Sequence, residues 1–150
     1  MTSGNPYGAC GLGFSLPSRT RRVAMIRRMS SSVLVVDDDP AFRRLAARMF
    51  AAFDLVIVGE AATAAAGLAA VAQLTPDAVL LDVRLPDGDG LALAGELTQL
   101  PSSPSVLLTS SDAEAATEAE VSGSGAVGFV PKDELPNADL QGLLGDGRRP

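Results

Sequence analysis

The sequence predicts an α/β protein: a doubly wound, five-stranded parallel sheet with helices on both faces. Two observations predict it. From Val33 onward, five short apolar runs recur, at residues 33–36, 55–58, 78–81, 106–108 and 126–130, mostly Val, Leu and Ala. Continuous runs of this kind read as strands buried on both faces, as a parallel sheet requires. Between them lie segments with helical spacing, so that strand and helix alternate five times.

The elements follow in order. Asp39 is placed to cap the first helix and Pro40 suits its first position. Phe42, Leu45, Ala46, Met49 and Phe50 then share one helical face. A second helix runs from about Thr63 to Leu74 and stops before Pro76. Asp87-Gly88-Asp89-Gly90 hints at a calcium loop, but Leu91 stands where a third acidic ligand belongs, so the segment reads as a turn. A third helix carries Leu93, Leu97 and Leu100. The fourth is expected to open at Ser111-Asp112-Ala113-Glu114, which has capping-box spacing, and to end in Ser122-Gly123-Ser124-Gly125. Its inner face offers little beyond Ala until Val121, which predicts thin packing. The fifth, with Leu140, Leu143 and Leu144, is short and stops at Gly145.

Composition narrows the chemistry. The 150 residues fit one domain of ordinary size. There is no His, so no Ser-His-Asp or Cys-His site and no His-ligated zinc. A single Cys, Cys10, allows no internal disulfide and fits a reducing compartment. Any chemistry must use carboxylates, hydroxyls, Arg, the backbone or Lys132, which is the single Lys among 12 basic residues.

Charge divides the chain. Residues 1–32 carry five Arg and no acid, whereas the rest carries seven basic and 18 acidic residues. We expect residues 1–31 to be a disordered basic extension, 32–145 to be the folded domain and 146–150 to be a tail. The Arg cluster reads as a solvated tail, or as a segment ahead of a start at Met25 or Met29, before it reads as a nucleic-acid or membrane contact. No apolar stretch approaches the ~18 residues of a membrane span, and no long apolar run follows Thr20-Arg21-Arg22. A cytoplasmic protein is expected.

The polar residues fall at one edge. Asp37, Asp38 and Asp39 follow the first strand, Asp82 closes the third, Thr109 and Ser110 close the fourth, and Lys132 lies just beyond the fifth. Open α/β sheets place their ligand crevice at these carboxyl ends. In the flavodoxin-like order 2-1-3-4-5, strands 1 and 3 are neighbours and the Asp side chains converge. Crowded carboxylates raise one another's pKa, and a hard divalent cation relieves this. Mg²⁺ takes oxygen ligands and bridges carboxylates to a phosphoryl group. Such an assembly suits a phosphoryl group on an Asp oxygen, with hydroxyl and ammonium taking up charge.

Four blocks carry a resemblance: Val33-Leu-Val-Val-Asp37-Asp38-Asp39-Pro40; Leu81-Asp82-Val-Arg84-Leu-Pro86-Asp-Gly-Asp89-Gly90; Leu107-Leu-Thr109-Ser110; and Gly128-Phe129-Val-Pro131-Lys132. Their order and spacing resemble a response-regulator receiver domain of two-component signalling, over about residues 33–144. The resemblance implies that Asp82 is the phosphoacceptor, served by a sensor histidine kinase or phosphotransfer protein. It implies Mg²⁺ held by Asp38 and Asp82 directly, by Asp37 largely through water, and by the Arg84 backbone carbonyl. Thr109 would be the switch hydroxyl, Phe129 the switch aromatic and Lys132 the cation on the phosphoryl. Arg84 and Ser111 occupy positions that tune phosphoryl lifetime in the family. One departure is that Asp133, rather than the family's frequent Pro, follows Lys132.

Two other readings stand beside it. One is a haloacid-dehalogenase-type aspartyl phosphatase, with Asp37 as nucleophile, Asp39 as acid/base, and Thr109 or Ser110 and Lys132 on the phosphate. It lacks a hydroxyl at Ala41 and leaves Asp82 idle. The other is a receiver-like scaffold that binds a protein without phosphorylation. On the favoured reading the protein is a single-domain response regulator, no enzyme beyond catalysing its own phosphorylation and dephosphorylation. Its output is expected to be a phosphorylation-dependent surface around helix 4, strand 5 and helix 5 that binds a downstream protein or a second copy. The acidic domain disfavours DNA.

Overall fold

The computed structural model describes residues 30–145. The expected basic extension lies almost wholly outside the described residues, as do Met25, Met29 and the tail from 146.

Five strands form one parallel sheet: β1 (Ser31–Val36), β2 (Leu55–Ala61), β3 (Ala78–Asp82), β4 (Ser105–Ser110) and β5 (Gly128–Pro131). Their order is β2-β1-β3-β4-β5, the flavodoxin-like order. Asp82 stands in register with Thr109, and Thr109 with Val130, so the strand ends meet along one edge. Between the strands lie α1 (Pro40–Ala51), α2 (Ala64–Leu74), α3 (Gly90–Thr98) and α4 (Glu118–Ser124), and α5 (Leu140–Leu144) follows β5.

The apolar runs are continuous because alternate residues serve two cores. Leu34, Val36, Val79, Leu81, Val106 and Leu108 face Val71 of α2 and Leu93 and Leu97 of α3. Val33, Val35, Ala78, Leu80 and Leu107 face Phe42, Ala46 and Phe50 of α1 and Leu140 and Leu144 of α5. At the opposite end of the sheet, the Asp77 carboxylate accepts from the Ser32 backbone N–H at 2.9 Å and tethers β1 to β3.

Several expectations change. β2 is an edge strand with a register shift against β1, and Val56 and Val58 are exposed rather than buried on both faces. Leu45 is exposed, because Phe42, Ala46 and Phe50 already fill the stripe beneath α1. α3 ends at Thr98, leaving Leu100 packed against the core from a turn. β5 starts at Gly128 and Lys132 follows it directly, opening a 3₁₀ segment, Lys132–Asn137.

The largest correction concerns α4. It starts seven residues beyond Ser111, with Thr117 capping the Glu120 N–H and the Glu120 carboxylate returning to the Thr117 N–H. Two stretches have capping-box spacing, and at the first the Glu114 N–H goes to the Asp112 carboxylate, which also accepts from Arg84. The packing of α4 is thin, with Ser124 alone buried and Val121 half-buried.

Gly90 positions the site from behind. It opens α3, and its N–H donates to the Val83 carbonyl at 2.7 Å. A Cβ there would press into the Asp82 carbonyl oxygen and stand 2.7 Å from Val83 Cα, both of them backbone atoms. We therefore expect Gly90→Ala to cost about 1–3 kcal/mol in urea denaturation. An unchanged unfolding midpoint would show that the turn has room to give.

Candidate functional site

The site begins where β1 ends. The Asp37 N–H donates to the Ala61 carbonyl at 2.9 Å, so β2 holds the start of the acidic turn. Asp37 is buried, and its Oδ1 accepts from the Asp39 N–H at 2.9 Å, which bends the chain into α1. Asp39 Oδ1 accepts from the Ala41 N–H at 2.9 Å, the cap expected of it, leaving Asp38 exposed between them.

Asp82 enters from β3, 6% exposed, with Oδ1 accepting from the Arg84 N–H at 3.1 Å. Lys132 reaches across from the end of β5. Its Nζ stands 2.7 Å from Asp37 Oδ2 and 3.5 Å from Asp82 Oδ2. One oxygen from each of Asp37, Asp38 and Asp82 lies within 4.8 Å of the others. Three carboxylates against one ammonium leave an excess of negative charge, in a spacing that suits a single hard cation with water completing its shell. The donor set therefore fits a metal: all oxygen, all carboxylate, with one member exposed for access.

Electrostatics follow from this crowding. Burial, reinforced by the charge of Asp37, raises the Asp82 pKa above the ordinary 3.8, although the Arg84 N–H and Lys132 pull the other way. Burial works to lower Lys132, but hydrogen bonding and charge from Asp37, then the charge of Asp82, outweigh it and leave the ammonium's pKa raised. Lys132 is a charged lysine throughout the neutral range.

Thr109 is fully buried and donates its hydroxyl to the Val130 carbonyl at 2.7 Å, joining β4 to β5 beside Asp82. Ser110 Oγ accepts from the Asp112 N–H at 3.1 Å. Phe129 is half-buried and packs against the core on the α4 side. The edge thus gathers Asp37, Asp38, Asp82 and Lys132, while Thr109 and Phe129 point their contacts toward β5 and α4.

Sequence reading missed three neighbours. The Phe42 ring lies under Lys132, with Nζ 4.3 Å from its centroid. Arg43 donates from Nη1 to the Asp37 carbonyl at 2.6 Å and from Nε to Glu60 at 2.8 Å, tying the acidic turn to β2. Both belong to the first turn of the helix that Asp39 caps, and that position was the available signal. Asp112 was read as part of a helix start. Instead it pairs with Arg84 Nη2 at 2.9 Å, and its pKa is lowered by the Glu114 N–H first and Arg84 second.

Comparison with known proteins agrees with this geometry. Residues 33–142 match the family model described as "Response regulator receiver domain". The chain is 40% identical over 104 residues to the DNA-binding transcriptional activator DevR/DosR of Mycobacterium tuberculosis, covering 67% of this chain and 47% of that protein. It is 30% identical over 119 residues to a protein-glutamate methylesterase/protein-glutamine glutaminase of Hahella chejuensis, covering 75% of this chain and 34% of that one. The chain thus spans between a third and a half of these relatives. Among solved structures, the signal receiver domain of the putative response regulator NarL from Mycobacterium tuberculosis superimposes with a TM-score of 0.69 at 30% identity, covering 81% of this chain and 98% of that one. With the sheet order, the acidic edge and a family match over most of its length, the chain belongs to the response-regulator receiver domains of two-component signalling.

Proposed function

We propose that Asp82 is the phosphoacceptor of a phosphorelay and that phosphorylation changes a protein-binding surface. One observation carries this reading: Asp37, Asp38 and Asp82 crowd within 4.8 Å at the sheet edge, with the Lys132 ammonium among them. An Asp82 oxygen attacks the phosphorus of a phosphohistidine on a sensor kinase or phosphotransfer protein. The P–O bond forms as the P–N bond breaks, and the imidazole leaves with its electron pair and takes up a proton. Asp38, Asp82 and the Arg84 carbonyl, with Asp37 through water, would hold Mg²⁺, which when bound offsets the carboxylates' charge and polarises the phosphoryl oxygens.

This chain's own residues do the rest. Lys132, held between Asp37 and Asp82, is placed to meet a phosphoryl oxygen as a compact charge. Thr109 would rotate from the Val130 carbonyl to donate to the phosphoryl, removing the bond that joins it to β5. Phe129, next to Val130 on β5, would turn inward as that bond is lost. A groove of about 570 Å³ between α4 and β5, lined by Thr117, Val121, Ala126 and Phe129, is where such a shift would be felt by a downstream protein or a second copy. The phosphatase reading needs Asp39 as acid/base, and the Asp39 cap on Ala41 weighs against it. The two curated relatives bear different activities, so the output belongs to what the receiver binds or is joined to.

Three outcomes test this. Incubation with acetyl phosphate and Mg²⁺ should give an acid-stable, base-labile adduct by intact mass in the wild type, and none in Asp82→Asn. An adduct persisting in Asp82→Asn would sink the assignment.

The second follows from charge. Asp82 is raised above 3.8, so its favourable contribution to stability is complete below 3.8 and is lost as pH rises through the folded value. At neutral pH the ionised group costs stability. In EDTA near neutrality, Asp82→Asn should therefore raise the Tm, on the order of a few degrees, with the gap closing toward pH 3.8. A less stable Asp82→Asn would contradict the sign.

Third, Lys132→Arg should keep the circular dichroism spectrum yet blunt the phosphorylation-dependent change in hydrogen exchange of β5. A fully responsive variant would make that lysine incidental.

A further inference from the structure

The crevice mouth carries an ion pair that the phosphoacceptor reading does not use. The Arg84 backbone belongs to the Asp82 turn, but its side chain leaves the site and crosses to the segment after β4, where Nη2 meets Asp112 Oδ2 at 2.9 Å. Asp112 organises that segment. Its N–H donates to Ser110 Oγ, its Oδ1 accepts from the Glu114 N–H, and its carbonyl accepts from the Ala115 N–H. Between Ser110 and the α4 cap at Thr117 there is no helix or strand, and most of the side chains are exposed. The Arg84–Asp112 pair is the ion pair, among the described residues, that links the phosphoacceptor turn to this segment.

We propose that Asp112 is a positioning residue that holds the Arg84 guanidinium away from Asp82 until a phosphoryl group arrives and competes for it. The proposal rests on Asp82 being phosphorylated. A phosphoryl group brings a charge of about −1.5 to −2 and three acceptor oxygens, against the single charge of a carboxylate. Arg84 is two residues from Asp82, with its N–H already bonded to the Asp82 carboxylate, so its side chain can swing to that group without moving the turn. A guanidinium favours the doubly charged, bidentate partner. When it leaves, the segment around Asp112 loses its tie to β3, and its own turn bonds open more often. The pair is exposed on both sides, 65% and 45%, so it holds the segment weakly and is exchanged easily.

The readout is hydrogen exchange at the Glu114 and Ala115 amides, which bond to Asp112, with intact mass measured on the same samples. In unphosphorylated wild type these amides should be protected, and acetyl phosphate with Mg²⁺ should speed their exchange about two- to fivefold, the range that an exposed ion pair spans. Asp112→Asn keeps an oxygen for the Glu114 N–H but loses the charge. It should exchange at the faster rate before phosphorylation and change little after it. Arg84→Gln should do the same, and the double variant should be no faster than either single. A turn-only role for Asp112 predicts additive effects in the double variant, and that result would overturn the proposal. So would a wild type that forms the adduct with no change at these amides, which leaves the phosphoacceptor reading intact. A wild type with no adduct would fail that reading, and this proposal with it.

Discussion

The arrangement turns on the Lys132 ammonium, 2.7 Å from a buried Asp37 oxygen. A buried carboxylate without a partner is costly, and removing one member of such a pair is more destabilising than never having had it. That contact draws the end of β5 across β4 and β3 toward the end of β1. It also places a positive charge beside Asp82, where burial and the charge of Asp37 favour the neutral form. Phe42 closes the underside, so the ammonium sits between two carboxylates and an aromatic face. The parallel sheet brings the strand ends together, and this pair decides how they carry charge.

Much of this was legible because the signals are local. A continuous apolar run that ends in a polar residue marks a strand end, and Asp37, Asp82 and Thr109 all stand at such ends. Asp39 and Pro40 announce α1 by chemistry that needs no tertiary contact. What escaped depends on distant neighbours. Leu45 lies on the predicted helical face, yet α1 presents only Phe42, Ala46 and Phe50 to the sheet. Ser111 and Thr117 both have capping-box spacing, but the Asp112 carboxylate takes the Glu114 N–H that the first box would need. Arg43 has no sequence signature beyond helical phase, but it ties the acidic turn to Glu60 of β2. The 3₁₀ segment after Lys132 contains Pro136 and is too short for a periodic signal.

The two ends of the sheet do different work. At the amino end, Ser32 and Asp77 satisfy each other and join β1 to β3 in a contact between neutral donors and one carboxylate. At the carboxyl end, like charges are kept together against their mutual repulsion. The strands between them are fully buried at Leu34, Leu80 and Leu107, and this apolar block holds the unfavourable cluster in place. Local strain at a site persists when the surrounding structure over-determines it.

The thin packing of α4 has an evolutionary side. A helix that buries one small residue contributes little to the core, so substitutions along it cost little stability. Natural proteins sit close to the stability that function demands, and most surfaces can drift only as far as that margin allows. Here α4, which packs on α3 and β5, is nearly exempt from that constraint. A receiver built this way can vary α4 widely in sequence, with the acidic edge and the two cores left untouched.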